Sequence, residues 1–253
     1  MEPHWIQFVE RPLPLRNLPG DLQGRVLVQL SDLHVGPRVD DAYLIRTLER
    51  VRALAPDFVV FSGDFISYEA DWGTAHLERV LRHYPLGRLG TTAILGNHDY
   101  GPGWAHPEIA AGVAGVAAAA GITVLRNAST IQDGLQVVGL DDLWAHRFAP
   151  SEGFAQADAT AATVVLSHNP DTLDLPGWDS YQGWALSGHT HGGQCKPPFL
   201  PPPLLPVRNR RYTAGEFALP GNRRVYISRG VGHLIPVRFN VRPEVTVFRL
   251  ERA

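Results

Sequence analysis

Five times along this chain a short apolar, largely β-branched run ends abruptly in polar residues. "RVLVQL" (25–30) runs into "SDLH", "DFVVF" (57–61) into "SGD", and "TTAIL" (91–95) into "GNHD". Further on, "ATVVL" (162–166) runs into "SHNPD" and "WAL" (184–186) into "SGHTH". In an open α/β sheet the loops beyond the carboxyl ends of the strands converge on one crevice, so this repeated arrangement predicts a shared site.

The intervening segments agree. "DDAYLIRTLERVRALAP" carries apolar residues at helical spacing behind an acidic start and before a proline stop. "AHLERVLRHY" reads as a second helix and the Ala/Gly-rich stretch 105–121 as a third. "ITVL", "LQVVGL", "RVYI" (which leads into "SRGVG") and "EVTVF" add strands. Alternation followed mostly by strands predicts an α/β core of parallel strands with a second sheet packed against it. No repeat or linker divides the chain. Residues 25–253 read as one domain, 1–24 as an N-terminal extension packing on it, and 195–211 as a long loop too rich in proline for a helix or central strand.

Composition narrows the chemistry. A net charge of -2 gives no field that would recruit nucleic acid, and none is expected as a partner. A single cysteine, Cys195, excludes an internal disulfide and any thiolate cluster, so metal chemistry would rest on His, Asp and Asn. The first twenty residues hold no basic region and no long apolar run, which makes a cytoplasmic protein the expectation, peripheral to a membrane at most.

Taken singly, the clusters have ordinary explanations: "SDLH" as a helix cap, Gly63-Asp64 as a turn. "GNHD" and "GHTH" resist them. His189 and His191 stand two residues apart, either serving two neighbouring ions or separated by a turn of the loop between them. Together the clusters offer three carboxylate or amide oxygens and four imidazoles without thiolate. That set suits Mn, Fe or Zn. Two such ions about 3.5–4 Å apart clamp a phosphoryl group and activate water.

The blocks "DLH", "GD", "GNHD", "SHNPD" and "GHTHGG" resemble those of the calcineurin-like metallophosphoesterases, from about Arg25 to the C-terminus. "LSHNPD", "SGHTHGGQ", "SRGVG" and "PVRFNVRPEVTVFRL" are similar to a bacterial subgroup. It includes cell-wall-associated phosphodiesterases and enzymes that cleave the pyrophosphate of UDP-2,3-diacylglucosamine. The resemblance implies a four-layer αββα sandwich: two mixed sheets flanked by helices, with the site at one edge. It implies two divalent ions, manganese first among the expectations and iron or zinc next. Asp32, His34 and His191 would hold one, Asn97, His168 and His189 the other, and Asp64 would bridge them. His98 would contact the scissile phosphate and protonate the leaving oxygen, with Asp99 behind it fixing its tautomer. Arg229 and Arg238 would neutralise phosphate oxygens, unless they form ion pairs at the sheet ends.

Departures from related enzymes are informative. "GDFISYEA" lacks the Asp-Arg-Gly continuation of protein Ser/Thr phosphatases, and "GNHD" stands where those have Glu last. Tyr68 is four residues past Asp64 rather than three, so a tyrosinate-bound ferric site is not expected. Cys195, Asp141, Asp142 and the remaining histidines are left without a role, with His233 the one to watch. Trp104, Trp144, Trp178 and Trp184 read as packing residues, any of which would also stack on a base.

The expected activity is hydrolysis of a phosphodiester or pyrophosphate, with a nucleotide-sugar lipid as substrate. The apolar segment 197–206 is then a lid that accepts an acyl chain or touches a membrane, or else a rigid cover over a core edge. A soluble nucleotide or cyclic-nucleotide phosphodiesterase is the rival among enzymes. A non-catalytic scaffold on the same fold, which binds partner proteins, is the rival from another class. Oligomeric state is not readable from the sequence.

Overall fold

The computed structural model describes residues 2–67, 74–178 and 181–253. The first sheet is built around β2 (Val26–Leu30), β3 (Phe58–Ser62) and β4 (Gly90–Ile94), which are mutually parallel, with β5 (Thr123–Val124) at one edge. On the other side β12 (Glu244–Arg252) lies antiparallel to β2, and β1 (Gln7–Leu15) runs parallel to β12 along its length. The second sheet orders β10 (Gly215–Leu219), β11 (Arg223–Ile227), β9 (Trp184–Ser187), β8 (Ala162–Leu166), β7 (Leu135–Gly139) and β6 (Ala128–Gln132). Its four inner strands are parallel and its two edges antiparallel. Both sheets are mixed.

The period of two along each strand divides the core in the same way throughout. Leu27, Phe58, Val60 and Ile94 of the first sheet meet Leu135, Val137, Val164, Leu166 and Leu186 of the second. Val28, Leu30, Val59, Phe61 and Ala93 face outward, onto the apolar stripes of three helices. These are α1 (Asp41–Ala53), α2 (Thr74–Leu81) and α3 (Pro107–Ala119). Helix α1 starts where its sequence predicts, Asp40 capping it by accepting from the Ala42 N–H at 3.0 Å. The far face of the second sheet, Val138, Val165, Ala185, Val225 and Ile227, lies under α4 (Pro150–Ala155), Trp178 and Tyr212. That fourth layer is thin, one short helix and irregular segments, because the sequence there has no long stretch of helical periodicity.

Three strands went unassigned from sequence: β1, β6 and β10. The N-terminal segment is more than an extension resting on the core, since Leu13 and Leu15 of β1 are buried between the sheets. Pro12 and Pro14 obscured it, and both are tolerated because β1 is an edge strand. The expected helix over 75–84 is shorter, and Tyr68 lies outside the described residues.

Candidate active site

The carboxyl ends of β2, β3 and β4 in one sheet and of β8 and β9 in the other open on the same edge of the sandwich. Gln29 ties the sheets there, its Nε2 donating to Ser62 Oγ (2.9 Å) and the Ser187 carbonyl (3.0 Å). Just beyond the strands the backbone turns sharply. Asp32, His34, Asp64, His189 and His191 all adopt left-handed conformations, with φ between 49° and 68°. Non-glycine residues hold such backbone at a cost of about 1–3 kcal/mol each, and they gather where function demands it. Two glycines make the close approach possible. A Cβ at Gly96 would collide with the Asp64 carboxylate, and one at Gly188 with Ser31 and Asp32.

The turns gather six of the seven sequence-predicted ligand residues into two groups, and all seven are nearly or completely buried. Asp32, His34 and His191 bring one ligand atom apiece within 4.8 Å of one another, and so do Asp64, His168 and His189. His189 and His191 therefore face different groups, because each lies in a left-handed turn rather than in extended strand. His34 Nε2 and His191 Nε2 stand 3.0 Å apart, with Asp32 Oδ1 3.9 and 3.4 Å from them. Asp64 Oδ2 lies 3.7 Å from His34 Nε2 and 3.1 Å from His168 Nε2, so one oxygen sits between the two groups. The other, Oδ1, accepts the His98 N–H at 2.9 Å. Asn97 is fully buried next to Asp64's partner His98, and neither atom of its amide has a hydrogen-bond partner.

Backbone carbonyls set which imidazole nitrogen is left bare. His168 Nδ1 lies 2.7 Å from the Ser62 carbonyl, so it carries the proton and Nε2 presents a lone pair. His189 is reversed: Nε2 lies 2.8 Å from the Pro206 carbonyl, which leaves Nδ1 to face Asp64 and His168. Without ions the centre is an awkward cluster of charge. Burial works against a proton on His168, yet the neighbouring Asp64, with Asp32 and Asp142, outweighs it and lifts the imidazole to about 10. Burial raises Asp32 to about 7 despite His168, while His168, His98 and His34 overcome burial and hold Asp64 well below its usual range. Burial pushes His34 and His189 down to about 3. Bare lone pairs, an unpartnered buried amide and carboxylates needing countercharge are what a pair of hard-to-borderline cations would satisfy. The donor set fits them.

The expected supporting residues are arranged differently. Asp99 does not stand behind His98. Its carboxylate accepts the N–H groups of Asp64 (3.1 Å), Ile66 (3.1 Å) and Gly96 (2.8 Å), so it fixes the two loops that carry Asp64 and Asn97. Arg238 is not placed to bind phosphate either. It is 4% exposed, and its Nη2 donates to the carbonyls of Arg229 (2.8 Å) and Gly232 (2.7 Å), which puts it 3.3 Å behind His191 Nδ1. Arg229 is ion-paired with Glu244 and donates to Gln7 Oε1 at 3.2 Å. Arg229 thus forms an ion pair at the sheet end, whereas Arg238 is held by backbone carbonyls and forms no ion pair among the described residues.

Other residues fall into place around this centre. Asp142 is buried within electrostatic reach of His168 and Asp64, and burial raises it to about 6. Asp141 is paired with Arg126 at 2.9 Å, away from the centre. His233 is buried against the Arg38 carbonyl and plays no part here. Trp144 meets His189 edge-on at 4.4 Å and Trp104 lies against Trp144 at 4.5 Å. The Pro206 carbonyl and the Asn169 amide, 3.3 Å from His189 Nε2, were missed from sequence. Asn169 was visible within "SHNPD", but nothing in the sequence marks a carbonyl in a proline-rich loop.

An apolar cavity of about 720 Å³ opens beside the centre. Asp64, His98, His189 and His191 form its floor, Trp104 and Trp144 one side, and Leu204, Leu205, Leu234, Ile235 and Val237 the others.

Two buried ligand groups sharing one carboxylate, at the edge of a double-sheet sandwich, define the metal-dependent phosphoesterase class. Comparison with known proteins gives the family: the calcineurin-like phosphoesterase profile matches residues 26–193, and the chain belongs to that family. It is 32% identical to phosphodiesterase YaeI of Escherichia coli K12, over 98% of this chain and 90% of that protein. It is also 32% identical to the uncharacterized metallophosphoesterase YkuE of Bacillus subtilis, over 99% and 87%. To the UDP-2,3-diacylglucosamine pyrophosphatase LpxG of Chlamydia trachomatis it is 28% identical, over 98% and 90%. The protein is a hydrolase of phosphoric esters, and the family implies divalent metal ions. Among the described residues no helix is long and apolar enough to cross a membrane.

Proposed function

We propose that this protein hydrolyses a phosphodiester or pyrophosphate bond in a substrate that carries acyl chains, a nucleotide-sugar lipid of the kind in LpxG's name. The observation that carries this reading is the apolar cavity directly over the ligand groups. A soluble nucleotide would leave most of its aliphatic wall without a partner. Two divalent ions, manganese first among the candidates, held by Asp32, His34 and His191, and by Asn97, His168 and His189, with Asp64 shared, would polarise the phosphoryl oxygens and activate the attacking water.

The chain's own groups do the rest. His98 lies on the cavity floor, its ring edge-on to His34 at 4.9 Å between centroids, and is the group to protonate the leaving oxygen. The Asp99 carboxylate keeps the Asp64 and Gly96 backbones in register, so that the ligand Asp64 and the proton donor His98 hold their relative positions. The apolar walls exclude water from the acyl chains and hold the scissile group over the floor. A second reading, a nucleotide phosphodiesterase, is favoured by Trp104 and Trp144 in the cavity wall, whose indoles offer an aromatic surface to a base.

The test is a rate assay on protein stripped with chelator and resupplied with manganese, comparing bis- and mono-nitrophenyl phosphate. Turnover of the diester should require metal, and Asn97→Ala should reduce it at least about a hundredfold. Leu204→Ser with Leu205→Ser should then impair an acylated nucleotide-sugar pyrophosphate and spare the deacylated one. Equal effects on both would favour the soluble substrate, and preference for the monoester would overturn the diester reading.

A further inference from the structure

The loop over 194–206 is one half of a larger surface. Gln194 joins it to a second loop: its side-chain Nε2 donates to the carbonyls of Ile235 and Val237, each at 3.2 Å, and its Oε1 accepts the Leu234 N–H at 3.3 Å. The backbones are also paired, Phe239 N–H to the Gln194 carbonyl (3.0 Å) and Lys196 N–H to the Phe239 carbonyl (2.9 Å). On the surface so formed, Phe199 is completely exposed, and Leu200, Leu204, Ile235, Val237 and Phe239 are each at least half exposed, from 50% to 74%. Most large exposed apolar side chains of a soluble protein are scattered; a contiguous group of this kind marks a contact surface. Leu204, Ile235 and Val237 also line the cavity, so the patch adjoins the ligand groups.

The flanking charge is mostly positive; the exposed Asp174 accepts from Asn209 Nδ2 at 2.7 Å and Glu2 from the Val241 N–H at 3.3 Å. Lys196, Arg208, Arg210 and Arg211 are exposed beside the patch, and no acidic residue occurs over 195–215 or 229–243. Asp171, beneath the loop, is buried and takes the backbone N–H groups of Arg208 and Asn209. Over 195–215 and 229–243 the chain therefore carries cationic charges only. Apolar side chains projecting from proline-stiffened loops, ringed by Lys and Arg, are suited to sit at the headgroup level of an anionic bilayer.

We propose that the two loops, 196–206 and 234–239, dock the protein on an anionic lipid bilayer, with the mouth of the cavity turned to the acyl layer. This deepens the reading of the site as one for an acylated substrate. Vesicle binding is therefore scored apart from turnover, so that the two can fail separately.

The experiment is flotation of the metal-loaded full chain with vesicles of phosphatidylcholine alone and of phosphatidylcholine mixed with phosphatidylglycerol. The wild type should float with the mixed vesicles and far less with the neutral ones. Phe199→Asp combined with Phe239→Asp, neither residue lining the cavity, should bind at least about tenfold more weakly. Arg210→Gln and Arg211→Gln should each weaken binding about fivefold. Turnover of bis-nitrophenyl phosphate by the Phe199/Phe239 variant should stay at the wild-type rate, which shows that the site is intact. Absence of binding to the mixed vesicles, or binding that the phenylalanine variant leaves unchanged, overturns the proposal whatever the diester assay gives. So does a wild-type dimer in analytical ultracentrifugation that the variant dissolves, since the patch would then be covered by a second copy.

Discussion

Asp99 holds three backbone N–H groups with two oxygens, and that count dictates what its replacement would do. In Asp99→Asn one oxygen becomes an NH2 facing N–H donors, leaving buried donors unpaired at about 1–3 kcal/mol each. We expect a lower Tm by thermal denaturation and a reduced kcat, with the pH profile of the residual activity unchanged. A profile displaced along the pH axis with Tm retained would instead return Asp99 to the role of orienting His98. Arg238 teaches the same lesson. "PVRFN" reads as a substrate-binding block, but the guanidinium is buried and both its Nη atoms donate to backbone carbonyls. Residue type and position in a motif were legible for the seven ligand candidates, because their chemistry is intrinsic to the side chain. The partners of Asp99, Arg229 and Arg238 were not, since folding brings them up: the Asp64 and Ile66 N–H groups for Asp99, the Glu244 and Gln7 side chains for Arg229, and loop carbonyls for Arg238.

At the scale of elements, the strands whose sequence is β-branched and ends in a polar cluster were the ones that could be read. β2, β3, β4, β8 and β9 all lie where the runs predict, and they carry the site. β1 was hidden by its prolines, although it supplies buried residues to the layer between the sheets. Leu13→Ala should consequently cost about 2–5 kcal/mol, as a core truncation does rather than a surface one. Urea denaturation checks this, and a loss below about 0.5 kcal/mol would mean the N-terminal segment does not pair with β12 in solution. The left-handed turns after the strands could not be anticipated either. Aspartate and histidine rarely adopt φ near 60°, and only the loops packed around them make it the lower-energy choice.

For the whole molecule, the buried centre links stability to metal. Ions that bind only the folded chain stabilise it by RT ln(1 + [L]/Kd), about 4 kcal/mol for a site at a thousand times its Kd. Removal of metal by chelator should lower Tm by several degrees, and manganese should restore it. Asn97→Ala should show a smaller gap between the two states. Equal Tm values with and without chelator would mean that the candidate sites are not occupied under those conditions. The alternation of apolar runs and polar clusters pointed, from sequence alone, to two packed sheets and to candidate ligands at the strand ends. Both depend on local periodicity and on side-chain chemistry, which are properties of short segments. The tertiary structure decided the rest: which ligand faces which group, which nitrogen of each histidine is bare, which arginines are already occupied, and how the proline-rich loop joins 234–239 into one apolar face. Each depends on a backbone carbonyl, a left-handed turn or a neighbouring loop brought close by folding, and no short segment of sequence contains both partners.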